Sequence, residues 1–327
     1  MSKRGRKPLS QVLNSLATAE HPALDDLRAL SDLSEGRLAE FKKGWLDISV
    51  DHRVEIMTRL GELAEDSIEL NINPVSRIAL NDPDDRVRAA AIRNLWEDQE
   101  PDLVEPFLSF LTTDESEAVR VAAATALGMY VYLGEMEELP EGVTDRAANA
   151  LLEVFHGKDT LEVRRRALES LGFSSRPEAA AAIDQAYSDG DELLLVSALF
   201  AMGRSLDPER WGDTVIEDLN HTSPPVRFEA ARAAGELQLD EAVPALGQLL
   251  DDADPDVQEI SIWALGEIGG DEARRSLEEK LETADDDLSG LIEDALANAD
   301  LIDGAWELGL MGYDEEDDEQ ARKARLN

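Results

Sequence analysis

The sequence predicts an all-α protein built as a stack of about seven helix pairs, and three observations carry that prediction. Seven segments fall into register on one aliphatic position: Val87, Val119, Val163, Leu194, Val226, Val257 and Leu288. Their intervals are 32, 44, 31, 32, 31 and 31 residues, the period of a two-helix repeat. Three residues before each anchor stands an N-cap type: Asp84, Ser116, Thr160, Asp191, Ser223, Asp254 and Asp285. Each such cap is worth about 0.5–2 kcal/mol relative to Ala. Small residues dominate four places after the anchor (Ala91, Ala123, Ala167, Ala198, Ala230, Ser261, Ile292) and nine places after it (Trp96, Gly128, Gly172, Gly203, Gly235, Gly266, Ala297). That composition permits close helix approach. One pair cannot bury its own apolar face, so the copies must stack.

Taken in order, residues 1–8 read as a disordered basic arm. Residues 9–66 are expected to form an N-terminal helical capping region, because a stack must shield its open end. Within it, residues 9–33 hold one or two weak helices. Ser34 begins a helix with Leu38, Phe41 and Trp45, and Ser49 or Asp51 begins one with Val54, Met57, Leu60 and Leu63. The repeat array proper spans 67–300, with partner helices near 67–80, 101–112, 143–156, 177–188, 208–220, 240–250 and 271–283. Ser223–Asp254 is the clearest unit. The Ser223 hydroxyl is placed to accept from the first turn, Pro224 sits at the first helical position, and Gly235 closes the apolar run. Asp240 then opens a second helix with Val243, Leu246, Leu249 and Leu250. The 44-residue interval holds an insertion, Tyr130–Gly142, read either as a longer helix or as a protruding loop. Residues 301–327 form a C-terminal extension. Its Trp306, Leu308, Leu310 and Met311 either cap the stack or present a peptide to a partner, and the acidic run beyond them is expected to be solvated and disordered.

The chain carries 72 acidic and 31 basic residues, a net charge of −41. That opposes nucleic acid and anionic membrane over most of the surface and favours basic partners. Seven Lys against 24 Arg, with so many acids, is also a composition suited to a high-salt cytoplasm. The lack of cysteine excludes disulfides, thiol catalysis and Cys-zinc sites. The N-terminus ends a secretory-like stretch at Ala17-Thr18-Ala19, but Ser10, Gln11, Asn14 and Ser15 make it too polar for a signal. Leu193–Met202, the longest near-apolar run, is too short to span a bilayer. The chain therefore reads as a cytoplasmic monomer with no cofactor.

The repeated pattern DPDDRVRAAAIRNLW, DESEAVRVAAATALG, LEVRRRALESLG, VRFEAARAAG and DPDVQEISIWALG resembles the HEAT repeat, in the short bacterial form related to phycobilisome-lyase repeats. The resemblance covers roughly residues 67–300. It implies a right-handed superhelix, an α-solenoid, with the second helix of each pair lining the concave face. It also implies that the Arg after the anchor bonds to an inter-helix Asp. Arg88, Arg120, Arg164 and Arg227 match, as do Asp82, Asp114, Asp189 and Asp252, and Leu195, Gln258 and Ser289 break the ladder. Two enzyme types are similar to this fold. Deoxyhypusine hydroxylases use His-Glu dipeptides, and the four His here precede Pro22, Arg53, Gly157 and Thr222, so that activity is rejected. Bilin lyases lend no local motif outside the repeat columns. An enzyme-associated subunit of that kind remains the alternative reading.

Other motifs carry little. Asp252, Asp254 and Asp256 lack the Gly and Glu of a calcium loop, with Val257 and Trp263 standing there. Arg4-Gly5-Arg6 resembles an AT-hook core, but Lys7 intervenes before Pro8. A solvated arm and a DNA contact through residues 1–8 both stay open.

The candidate partner-binding face follows from helix geometry. With the anchor, +4 and +8 places turned inward, +2 and +6 should line the groove. Ten of the 24 Arg lie on these second helices. Phe200, Phe228 and Trp263 are expected to form one apolar stripe flanked by Arg204 and Arg232, with Arg93 and Arg165 at equivalent places. Aromatics and Arg dominate protein interfaces. The predicted function is a non-catalytic scaffold or adaptor for a protein or peptide.

Overall fold

The structure is a computed structural model that describes residues 7–67 and 69–307. Its helices gather into two compact units, one ending at Ala182 and the other beginning at Ile183. In the first, α1 (Leu9–Thr18) and α2 (Leu24–Arg28) lie against α3 (Glu35–Gly44) and α4 (Val50–Glu65). There follow α5 (Asn73–Ala79), α6 (Asp85–Arg93), α7 (Val104–Thr113), α8 (Glu117–Glu135), α9 (Glu141–His156) and α10 (Leu161–Leu171). Helices α4, α6, α8 and α10 pack side by side in one layer, backed by α3, α5, α7 and α9. The division between units falls inside α11 (Pro177–Tyr187).

The second unit continues with α12 (Glu192–Arg204), α13 (Pro208–Asp218), α14 (Pro224–Glu236), α15 (Val243–Leu249), α16 (Pro255–Ile268), α17 (Gly270–Leu281) and α18 (Asp286–Glu307). Here α12, α14, α16 and α18 make the second-helix layer and α13, α15 and α17 the layer behind. Each unit is therefore an α-solenoid stack of helix pairs. Among the described residues there is no strand, and no helix is long and apolar enough to cross a membrane. The AT-hook-like Arg4-Gly5-Arg6 and the candidate end cap Leu308, Leu310 and Met311 lie outside the described residues.

All seven cap positions stand at helix starts, but two differ from expectation. Asp84, Thr160, Asp191, Asp254 and Asp285 accept from first-turn amides. Ser223 does not. Pro225 stands at the second helical position, so one of the two amides Ser223 would serve carries no hydrogen. The Ser116 hydroxyl is instead turned to the preceding repeat, where it donates to Asp85 Oδ2 at 2.7 Å.

Packing of the second-helix layer rests on two columns. The +4 residues Ala91, Ala123, Ala167, Ala198, Ala230, Ser261 and Ile292 are all completely buried. The +9 glycines Gly128, Gly203, Gly235 and Gly266 meet the +7 residue of the next helix within the same unit. A Cβ at Gly235 would lie 2.9 Å from Ala264 Cα, at Gly203 3.0 Å from Ala233 Cα, and at Gly266 2.9 Å from Ala295 Cβ. In the first unit Gly128 meets Ser170 and Gly61 meets Asn94 in the same way. Where +7 is polar, it donates to the backbone beside the glycine: Asn94 Nδ2 to Met57 O at 2.8 Å and Ser170 Oγ to Ala124 O at 2.9 Å. Trp96 holds a +9 place without entering a contact of this kind, because α6 ends at Arg93 and the ring is half exposed.

The insertion lengthens a helix. Helix α8 runs 19 residues, and its extra turns carry Tyr130, which is buried and donates to Asp98 O at 2.9 Å. Tyr132 lies two residues on, exposed, with its ring edge-on to Phe173.

The glycine column makes a paired prediction. Gly235→Ala is expected to destabilise the protein by about 1–3 kcal/mol through overpacking. Gly36→Ala, in α3 with open space at its Cβ, should stabilise by about 0.5–1 kcal/mol. Urea unfolding midpoints check both.

Candidate functional site

The inter-helix turns are stitched by arginine. Arg88 donates from Nη1 to the Asp82 carbonyl of its own turn (2.9 Å) and from Nε and Nη2 to the Asp114 carboxylate of the next turn (both 3.0 Å). Arg227 repeats this with the His221 carbonyl at 2.9 Å and Asp252 at 2.8 and 2.7 Å. Arg120 spans from the Asp114 carbonyl at 2.9 Å to Asp159, both bonds at 2.8 Å. Each receiving Asp also accepts the backbone amide that opens the following helix, as Asp114 does from Ser116 N and Asp252 from Asp254 N. Arg164 donates to the Phe155 carbonyl at 2.8 Å, and Asp189 stands exposed after α11.

Several members of this system escape the sequence pattern. Asp159 stands four residues before its anchor, where Asp82, Asp114 and Asp252 stand five before theirs. His221 takes the Asp place of its repeat and accepts Ser223 N–H at Nδ1 (3.1 Å). Gln258 keeps the local half of the stitch, donating to Asp252 O at 2.5 Å. Arg53 on α4 extends the series backward. It bonds Asp82 through Nε and Nη2 at 2.9 and 3.1 Å, and Trp45 Nε1 donates to the same carboxylate at 2.7 Å. All three residues are buried.

The candidate partner face occupies α12, α14 and α16 in the second unit. Two guanidiniums cover the half-buried Phe200 ring: Arg232 at 4.1 Å and Arg204 at 5.4 Å from its centroid. Arg232 is itself tied to Glu229 and Glu236, and Arg204 reaches Glu236 at 3.4 Å. The charges of this cluster are thus used within the chain. Phe228 is half-buried. The Trp263 ring lies over Gly235, with Cζ3 2.8 Å from where a Cβ would stand. Trp263 still exposes 38% of its surface.

The +2 and +6 rule needs two corrections, at Ala89 and Glu169. Both are buried: Ala89 is small enough to be covered by neighbouring helices, and Glu169 is held down by Arg166 at 2.6 Å. Arg165 is half-buried and paired with Glu162 at 3.0 Å.

Helices α16 and α18 enclose a cleft of about 210 Å3 between Trp263 and Leu291. The first unit has a counterpart of about 190 Å3 between α4 and α6, holding Arg93, Trp96, Glu62 and Asn94. Burial alone pushes the Arg93 guanidinium pKa down. A larger open groove of about 1240 Å3 in the same unit is walled by Leu133, Glu138 and Leu139 of the insertion and by Arg77. Arg77 donates to Asp98 at 2.7 and 2.8 Å and to Asp102 at 2.9 and 2.8 Å. Leu291 and this groove carry no mark in the repeat pattern, because neighbouring helices assemble them.

The family profile for HEAT repeats matches residues 72–159 and 212–297. No curated protein matches the chain. Among solved structures, YibA of Escherichia coli is 19% identical, with 73% of this chain and 96% of that one covered at a TM-score of 0.43. The CpcE–CpcF complex of phycocyanin lyase from Nostoc is 20% identical, with 70% and 93% covered at 0.45. Importin beta is 15% identical over 89% of this chain and 44% of its own length, at 0.48. These likenesses concern the fold alone.

The arginine stitches predict an acid limb in the stability profile. Hydrogen bonds from Arg227 and from Arg120 hold the Asp252 and Asp159 carboxyls below their ordinary value of 3.8. Their contribution is therefore complete above that pH and fades as pH falls through the lower folded values. Burial pushes Asp218 the other way, so its penalty is relieved on acidification. Arg227→Met is expected to cost about 1.5–3 kcal/mol at neutral pH and to flatten the acid limb. Thermal melts between pH 2 and 7, a window set on the ordinary carboxylate range, check this.

Proposed function

The chain belongs to the HEAT-repeat family, and on that premise we propose that it is a non-catalytic scaffold or adaptor that holds a protein or peptide on its second-helix layer. The observation that carries this reading is the pair Trp263 and Leu291. They expose 38% and 41% of their surfaces on facing walls of one cleft. An exposed tryptophan beside an exposed leucine in a concave seat is the composition of an interface anchor.

The neighbouring cluster supports the same reading in a different role. Arg204 and Arg232 cover Phe200 and are tied to Glu229 and Glu236, so they form a border already engaged within the chain. Trp263 and Leu291 are left with surface to bury, and burying a large apolar side chain contributes about 1.5–3 kcal/mol. This reading centres the site on Trp263 of α16 and Leu291 of α18, two repeats along from Phe200 of α12.

Affinity capture from the native host by the full chain, read by quantitative mass spectrometry, tests the proposal. Trp263→Ala combined with Phe228→Ala is expected to deplete at least one captured protein about tenfold, the effect of 1.4 kcal/mol. Leu46→Ser, at an exposed position in the first unit, should leave the captured set unchanged. Identical sets from all three chains would sink the reading.

A further inference from the structure

We propose that the cleft between α16 and α18 receives a short cationic segment of a partner protein, with one aliphatic anchor against Trp263 and a lysine or arginine two residues to either side. The inference rests on the scaffold reading and adds the chemistry of the partner.

Size comes first. A cleft of about 210 Å3 lies below the about 300–1,000 Å3 typical of a small-molecule site. It has room for one side chain. Its floor is Ile262, Gly266 and Ala295, all buried, and no atom there offers a charge. The floor stays open because the Gly266–Ala295 contact brings the two helices together without side-chain volume to fill the gap. An aliphatic anchor entering it covers Trp263 and Leu291 at once.

Charge decides the flanks. Glu259 and Glu267 precede and follow Trp263 by four residues on α16, and Asp294 faces them from α18. Glu259 and Asp294 have no ion-pair partner among the described residues, and the Glu267 carboxylate accepts from the Asn298 amide at 3.0 Å without an ion-pair partner among them. This contrasts with Glu229 and Glu236 one repeat away, which are held by arginine. A second copy of a chain at −41 would bring like charge to this rim, and an anionic ligand would do the same. A cation relieves the repulsion, and the Trp263 face can accept it as well.

Geometry sets the register. Four residues along a helix are about 6 Å, so the two glutamates lie about that far to either side of Trp263. An extended segment advances about 3.3 Å per residue. Cations two places before and two places after the anchor therefore meet Glu259 and Glu267.

The probe is a fluorescein-labelled peptide of seven residues, serine throughout except for leucine at the centre and lysine two places to each side. Its binding to the full chain is read by fluorescence anisotropy. Two control peptides have alanine for the leucine, or the lysines moved next to it at equal charge. The proposal expects each control to bind about fivefold to tenfold more weakly, an apolar and an electrostatic step of about one decade at most. Trp263→Ala should cost about tenfold, with an unchanged circular dichroism spectrum as the folding control. Glu259→Gln with Glu267→Gln, the first exposed and the second half-buried with an amide that can still accept from Asn298, should abolish the preference for lysine spacing. Equal binding of all three peptides, or no effect of either variant, overturns the proposal. So does binding that appears only in a chain ended after Tyr313, which would make Arg322, Lys323 and Arg325, beyond the acidic run, the occupants. If the peptides are refused while Trp263→Ala with Phe228→Ala still depletes captured proteins, the scaffold reading stands and the cationic partner falls.

Discussion

The approach of one second helix to the next, glycine against the seventh residue of its neighbour, is the constraint on which the rest of each unit depends. At Gly203, Gly235 and Gly266 a Cβ would come within about 3 Å of the adjoining helix, closer than side chains normally pack. Backbone therefore rests nearly on backbone. Within each unit that spacing brings the fully buried +4 residues into a continuous core. It also leaves shallow hollows where the small residues meet, and the two tryptophan-edged clefts both lie over such a contact: Gly61 with Asn94 and Gly266 with Ala295.

The same repeat manages its charge by short circuits. Each stitching arginine ties the carbonyl of its own turn to the carboxylate of the next. Around Asp82 the arrangement becomes a buried node with Arg53 and Trp45. Breaking such a node costs more than its formation contributes, since one charge is left buried alone. A strongly acidic chain thus commits many arginines to structure. Glu259 and Asp294 have no such arginine and stand on the two walls of an apolar cleft, and the cationic partner proposed there follows from that combination.

Much of this was legible in the residues. The period, the helix pairs and the buried columns follow from spacing alone. Less legible was the traffic between helices. Asp159 serves Arg120 from a place one residue off the pattern, and His221 replaces an aspartate by presenting a ring nitrogen to the same amide. Ser223 has the right chemistry for a cap, yet Pro225 removes one of the two donors it would serve. Ala89 and Glu169 lie at nominally outward places and are buried all the same. Along one helix a residue's angle is set by counting, but its cover depends on the size of what stands opposite.

The sequence by itself determined the all-α class, the repeat and its capping positions, and the three consecutive repeats that carry Phe200, Phe228 and Trp263. Only the tertiary structure decided that arginine covers Phe200, that Trp263 lies over Gly235, and that Leu291 faces it across a cleft. The reason is physical. Helical periodicity is a property of one segment, whereas contacts between segments depend on their offset and separation, which the glycine contacts set jointly for both.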